Sequence, residues 1–252
     1  MPAVLLHGVP ETPVVWGPLL HELTRTDVIT LQLPGFGVPA PAGFGATKED
    51  YVEWLISELK TIGEPVDFVG HDWGGGFIDR VACLRPDLLR SWVTDTAGLI
   101  HPDYVWHDIA QVWQTPEAGE KYFVDLLAQP AETVAALYAA VGMIGDVGAQ
   151  LARASNEEMG RCILSLYRSA AQPAMAEWGR DAERAAARPG MALVNLDDPF
   201  LRDPEFGKEM GRRMGARVEV MEGMGHWWML QDPRRGAAVL EDFWNSVDTP
   251  RR

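Results

Sequence analysis

The chain is short of cysteine and of positive charge. It has two cysteines in 252 residues, Cys83 and Cys162, both among helix-forming neighbours. Neither a disulfide framework nor a cysteine-based metal centre is expected, and both are read as small buried side chains in a reducing compartment. Lysine and arginine total 22 against 36 aspartates and glutamates, a formal charge of −14. A field of that sign repels phosphates, so nucleic acid and anionic membrane surfaces are not expected partners. No apolar run is long enough to cross a bilayer. The residues after Met1 run straight into a strand-like segment with no secretory leader, and a cytoplasmic location is expected. The six histidines show no ligand spacing with cysteines or carboxylates, and no loop has the form of a phosphate cradle. No metal and no cofactor are therefore expected.

What the chain does have is alternation. Apolar strand-like runs at Ala3-Val4-Leu5-Leu6, Val28 to Leu33, Val66 to Val69 and Trp92-Val93-Thr94 are separated by helical stretches. Lys48 to about Ile62 is an amphipathic helix with Thr47 as N-cap and Glu49 and Asp50 in its first turn. Continuous apolar strands alternating with helices imply a mostly parallel sheet covered on both faces. From about His101 to Arg188 the strands stop and aromatics lie among helix formers; the strand pattern resumes at Met191 and again at Arg217 to Met221. The expected organisation is a core of residues 1–98 and 189–252, with residues 99–188 inserted as a helical cap. The tail from Asp248 to Arg252 is expected to fray.

The most informative segment is Val69-Gly70-His71-Asp72-Trp73-Gly74-Gly75-Gly76. It joins a buried strand to a helix through a G-x-D-x-G turn, which exposes the central side chain at the top of the sheet. Gly70, Gly74 and Gly75 allow the backbone to close tightly around it. An aspartate there favours alkyl transfer over acyl transfer. A carboxylate that displaces a leaving group at carbon forms an ester, which water can then hydrolyse; attack on an ester would give a labile anhydride. Splitting one substitution into two steps is the logic of covalent catalysis.

Three other segments supply partners. His7-Gly8-Val9-Pro10 follows the first strand, and Val9 N–H with Trp73 N–H can form an oxyanion hole. His226, in Gly223-Met224-Gly225-His226-Trp227-Trp228, has an imidazole suited to activating water. Two carboxylates compete to orient it: Asp198, in Asp197-Asp198-Pro199-Phe200, and Asp95, in Trp92-Val93-Thr94-Asp95-Thr96.

Together with Leu33-Pro34-Gly35-Phe36-Gly37, this ordered set resembles the α/β-hydrolase superfamily over nearly the whole chain. It is similar in particular to the aspartate-nucleophile branch of epoxide hydrolases and haloalkane dehalogenases. The resemblance implies the α/β-hydrolase fold with a helical cap, Asp72 as nucleophile, His226 as base and Asp198 as its acid, because the Asp-Pro-Phe step resembles the acid turn of that fold. The usual N-terminal hairpin has no counterpart here, so six strands are expected, with an exposed edge that a second subunit of a homodimer could cover.

Within that branch, two cap tyrosines bind the epoxide oxygen. By resemblance of Leu166-Tyr167-Arg168-Ser169 and Lys121-Tyr122-Phe123, Tyr167 and Tyr122 take these roles, with Tyr104 and Tyr138 as alternatives. A halide would instead need indole N–H donors: Trp73, with Trp106, Trp113 or Trp178. Trp73 and Trp227, with Trp228, imply an apolar, aromatic-walled site. Arginines directly after the nucleophile would favour haloacids, and Arg80 is a full helical turn further on. The expected function is hydrolysis of a small apolar epoxide to a diol, using only water as co-substrate. Haloalkane dehalogenation with the same triad is the alternative. A non-catalytic receptor on this fold is a third possibility, disfavoured by the complete triad.

Overall fold

The computed structural model describes residues 1–248; the end of the tail expected to fray lies outside the described residues. Six strands form one sheet in the order β2-β1-β3-β4-β5-β6, with every pairing parallel. They are β1 (Ala3–Leu6), β2 (Val28–Leu31), β3 (Val66–Gly70), β4 (Leu89–Thr94), β5 (Gly190–Asn195) and β6 (Arg217–Met221). Their side chains alternate between two cores. Val4, Leu6, Phe68 and Trp92 face one, while Leu5, Val69, Val93 and Leu193 face the other. Burial on both faces is what continuous apolar strands require.

In the sheet region the helices are α1 (Gly17–Glu22), α2 (Lys48–Ile62) and α3 (Trp73–Leu84). Between β4 and β5 lie α4 (Asp108–Gln114), α5 (Ala118–Leu127), α6 (Ala131–Ala140), α7 (Val147–Ala154), α8 (Glu157–Ser169) and α9 (Ala174–Trp178). The chain finishes with α10 (Pro204–Arg213), α11 (Trp228–Gln231) and α12 (Pro233–Asp248). Helices α2, α3 and α10 cover one face of the sheet, and α1, α11 and α12 pack together on the other. Helix α2 starts where the sequence sets it. The Thr47 hydroxyl accepts from Asp50 N–H, and the Asp50 carboxylate accepts from Thr47 N–H, a reciprocal cap worth about 1 kcal/mol.

The two cysteines are free and buried, Cys83 in α3 and Cys162 in α8. No helix among the described residues is long and apolar enough to cross a membrane. Strand β2 pairs only with β1, leaving its other edge unpaired among the described residues. The strand order reverses direction between β1 and β3, and side chains beyond the carboxyl ends of those strands border the crevice where ligands of open parallel sheets bind.

Candidate active site

The turn after β3 is as tight as its glycines suggest. Asp72 takes φ 50° and ψ −120°, a region that non-glycine residues occupy only under constraint from their surroundings. A Cβ on Gly70 would overlap the Gly74 carbonyl, and one on Gly8 would overlap the Asp72 side chain. Two hydrogen bonds hold the turn from β4's side: Asp72 N–H donates to Asp95 Oδ1 at 2.9 Å, and the Thr96 hydroxyl donates to the Asp72 carbonyl at 2.8 Å.

The two Asp72 oxygens have different surroundings. Oδ1 accepts from Val9 N–H at 2.8 Å, and Trp73 N–H also favours the ionised carboxylate. Oδ2 lies 3.7 Å from His226 Nε2. One oxygen is thus held by Val9 N–H, and the other faces His226. Burial raises the Asp72 carboxyl from 3.8 to about 6, with His226 acting against that and Glu11 adding to it.

His226 follows β6 and hydrogen-bonds through Nδ1 to Asp198 Oδ2 at 2.7 Å. Asp198 Oδ1 accepts from Phe200 N–H at 2.7 Å, so both carboxylate oxygens are engaged. Burial alone would lower the His226 pKa; the Asp198 carboxylate outweighs it and raises it. The same pairing holds the Asp198 carboxyl below its ordinary value despite burial.

Asp95 serves a different histidine. Its Oδ2 contacts His71 Nδ1 at 2.5 Å and accepts from the Trp228 indole at 2.8 Å. On the opposite edge of that ring, His71 Nε2 meets Glu11 Oε1 at 3.1 Å, and Glu11 also accepts from the Trp227 indole at 2.5 Å and from Gly8 N–H at 2.9 Å. Burial would lower the His71 pKa, but Glu11 and Asp95 together raise it well above the ordinary value. A buried carboxylate–imidazolium–carboxylate chain therefore lies beneath Asp72 and His226, its His71 ring 4.7 Å from that of His226. Glu11, His71 and His226 each bring a ligand-type atom within 4.8 Å of the others. Those atoms already face one another or Asp72, so the cluster fits a hydrogen-bond network better than a metal ligand set.

A cavity of about 460 Å³ opens above Asp72 toward the inserted helices, bounded by Pro10, Trp113, Tyr122, Tyr138, Met143 and Trp227 among others. Among the described residues, no lysine or arginine lines it. A second, smaller lobe of about 30 Å³ reaches Thr96, Tyr104 and Asp198, with room for a water or two at about 10–15 Å³ each. Asp72, His226, Tyr167, His107 and Phe200 border both.

Tyr167 stands at that junction. Burial raises its phenol well above the ordinary value, and Asp72 adds to the rise. The Trp73 indole N–H meets no acceptor at hydrogen-bond geometry, but it lies beside the Tyr167 oxygen and favours its ionisation. Tyr122 lines the larger cavity, and its phenol is raised by burial and by Tyr138. Tyr138 bonds Ser155, and Tyr104 borders the small lobe. Of the three cap tryptophans, Trp106 donates to the Ala170 carbonyl at 3.1 Å and Trp178 carries the Lys48 ammonium over its ring. Only Trp113 both lines the cavity and has a free indole N–H. Sequence spacing pointed to neither Glu11 nor His71 as functional, although Glu11 follows the His-Gly-x-Pro turn and His71 immediately precedes Asp72. His107 was likewise unmarked.

An all-parallel sheet with a strained strand-to-helix turn at Asp72 after β3, an acid after β5 and a histidine after β6 defines the α/β-hydrolase class. The chain belongs to the alpha/beta hydrolase family, whose model matches residues 3–239. It is similar to the (E)-2-((N-methylformamido)methylene)succinate hydrolase of Acinetobacter baylyi, 33% identical over 91 residues, 35% of each chain. It is also similar to the probable oxidoreductase EphD of Mycobacterium tuberculosis, 28% identical over 281 aligned positions covering 97% of this chain and 46% of that protein. Each match thus spans less than half the length of the curated relative. Among solved structures, the haloalkane dehalogenase DbeA of Bradyrhizobium elkani superposes with a TM-score of 0.71 at 20% identity, covering 97% of this chain and 91% of that one; this likeness speaks to the fold.

Proposed function

We propose that this hydrolase opens a small apolar epoxide to a diol through a covalent ester on Asp72, with residues 99–188 acting as a cap over the site. The observation that carries the proposal is the division of labour at Asp72: Oδ1 held by Val9 N–H, Oδ2 facing His226 and the cavity, and the Tyr167 phenol at the same junction. Asp72 Oδ2 attacks a ring carbon. The breaking C–O bond leaves its electrons on oxygen, and Tyr167 supplies a proton. His226, oriented by Asp198, then removes a proton from water, which attacks the ester carbonyl carbon. The Oδ1 oxyanion forms against Val9 and Trp73 N–H, donors worth about 3–4 kcal/mol each in such sites. Collapse expels the ester oxygen, which takes the remaining proton of the attacking water and leaves as the diol's second hydroxyl; Asp72 is again a carboxylate, and the proton on His226 returns to the Tyr167 phenolate. An aromatic wall with no lysine or arginine among its described residues suits a neutral substrate better than the succinate in the name of the Acinetobacter relative.

Haloalkane dehalogenation with the same triad is favoured by one observation: among the described residues the buried indole N–H groups of Trp73 and Trp113 make no hydrogen bond of good geometry, and both rings pack edge-on to Tyr167. One experiment separates the two. The His226→Gln variant is incubated with panels of aryl and alkyl epoxides and of haloalkanes, and its intact mass is recorded. An epoxide adds its whole mass to Asp72, whereas a haloalkane adds its mass less hydrogen halide. Adducts with epoxides, absent in Asp72→Asn/His226→Gln, support the proposal; adducts with haloalkanes alone replace it with dehalogenation.

A further inference from the structure

His107 begins α4 and is used there as its N-cap. Its Nδ1 accepts from Ala110 N–H at 3.3 Å. An accepting Nδ1 carries no proton, so in the neutral ring the proton must sit on Nε2. That second nitrogen has no hydrogen-bond partner among the described residues, and the residue borders both lobes of the cavity together with Asp72 and Tyr167. The ring is fixed by its aromatic neighbours: Phe200 lies 5.0 Å away and inclined at 62°, and Trp113 and Tyr167 each lie 6.4 Å away, edge-on. Phe200 in turn packs on His226 at 4.9 Å.

We propose that His107 is the second donor of the site, presenting Nε2–H to the substrate oxygen that Asp72 displaces and acting as the partner of Tyr167 in the role expected of Tyr122. The proposal rests on the reaction above. It needs no further proton transfer: the alkoxide takes its proton from Tyr167, and His107 lends a hydrogen bond while keeping its own proton. Burial, with the neighbouring His226, holds the His107 pKa down at about 4, so the ring is neutral at neutral pH. A neutral imidazole is a useful donor here because it stabilises an alkoxide without placing a second full charge beside His226. Tyr122 lines the large lobe but not the small one, whereas His107 borders both.

The cap role and the donor role can be separated. In His107→Asn, Oδ1 takes the place of Nδ1 and keeps the cap, but nothing reaches the position of Nε2. In His107→Gln, the amide nitrogen reaches that position while the cap is weakened. The first readout is single-turnover ester formation with an epoxide. The expected result is a 10–100-fold slower step in His107→Asn with an unchanged thermal midpoint, and a rate within about threefold of wild type in His107→Gln with a lowered midpoint. An unchanged rate in His107→Asn would overturn the assignment. The second readout does not depend on turnover: calorimetric binding of a small apolar amide, whose carbonyl is an unreactive acceptor. His107→Asn should bind it about five- to tenfold more weakly. Equal binding by both proteins, or no binding by wild type, also overturns the assignment. Amide binding that depends on His107, with no diol from any epoxide, retires the epoxide reaction and keeps His107 as a donor.

Discussion

Replacing Asp72 by asparagine should make this protein more stable, by an amount that depends on pH in a predictable way. Burial lifts the native carboxyl from 3.8 to about 6. The folded state therefore binds this proton more tightly than the unfolded chain, and stability falls as pH rises from about 4 to 6, then stays flat above that. The gap corresponds to about 3 kcal/mol at pH 8 and roughly half that at pH 5. Asparagine cannot ionise. It keeps an oxygen for Val9 N–H and turns an amide N–H toward His226 Nε2, so the Val9 hydrogen bond survives while the charge cost is removed. Urea titrations of wild type and Asp72→Asn at pH 5 and pH 8 measure both gains. The expected gain at pH 8 is about 2–3 kcal/mol, equivalent to a thermal midpoint higher by about 5–10 °C, with roughly half as much at pH 5 and no ester formation at either. A variant less stable than wild type at pH 8, or a gain equal at the two pH values, would refute the reasoning. Such a result would mean that the strained backbone, not the buried charge, carries the cost of the site.

Two further outcomes are expected. Asp198→Asn should leave the ester-forming burst intact and slow ester hydrolysis by about 10²–10⁴-fold, because His226 loses the carboxylate that raises its pKa; Asp95→Asn should instead cost about 3–5 kcal/mol of stability in urea titrations by breaking the buried His71 pair. If the unpaired β2 edge is covered by a second copy of the chain, light scattering over a concentration series should give the mass of a dimer, and a monomer throughout would rule that out.

The parts of the site visible in the sequence were those coded by local spacing. The glycines around Asp72, the strand before His226 and the cap at Thr47 are all features of a few consecutive residues, and they fixed most element boundaries within a residue or two. Whether Asp198 or Asp95 meets His226 depends instead on which loop reaches across the sheet, and spacing left both open; the structure places Asp198 at hydrogen-bond distance and turns Asp95 to His71. The inserted helices were legible as helices but not in their facing. Tyr122 and Tyr167 both lie on helices lined with apolar residues, and a small rotation of either helix decides which phenol approaches the nucleophile. His107 was hidden for the same reason, since its N-cap position is evident only once α4 is seen to start at Asp108. Glu11 and Trp227, 216 positions apart, offer no local signal at all.

That last contact bears on how this scaffold could be re-engineered. The loop carrying His226 is tied to the rest of the site by two indoles, Trp227 to Glu11 and Trp228 to Asp95, and His71 joins those two carboxylates beneath Asp72. A chimera that imports only the nucleophile turn or only the histidine loop from another hydrolase would strand at least one buried carboxylate without its partner. Glu11, His71, Asp95, Trp227 and Trp228 form a single transplantable unit drawn from four separate stretches of chain, and segment boundaries for recombination would have to be chosen to keep all five together.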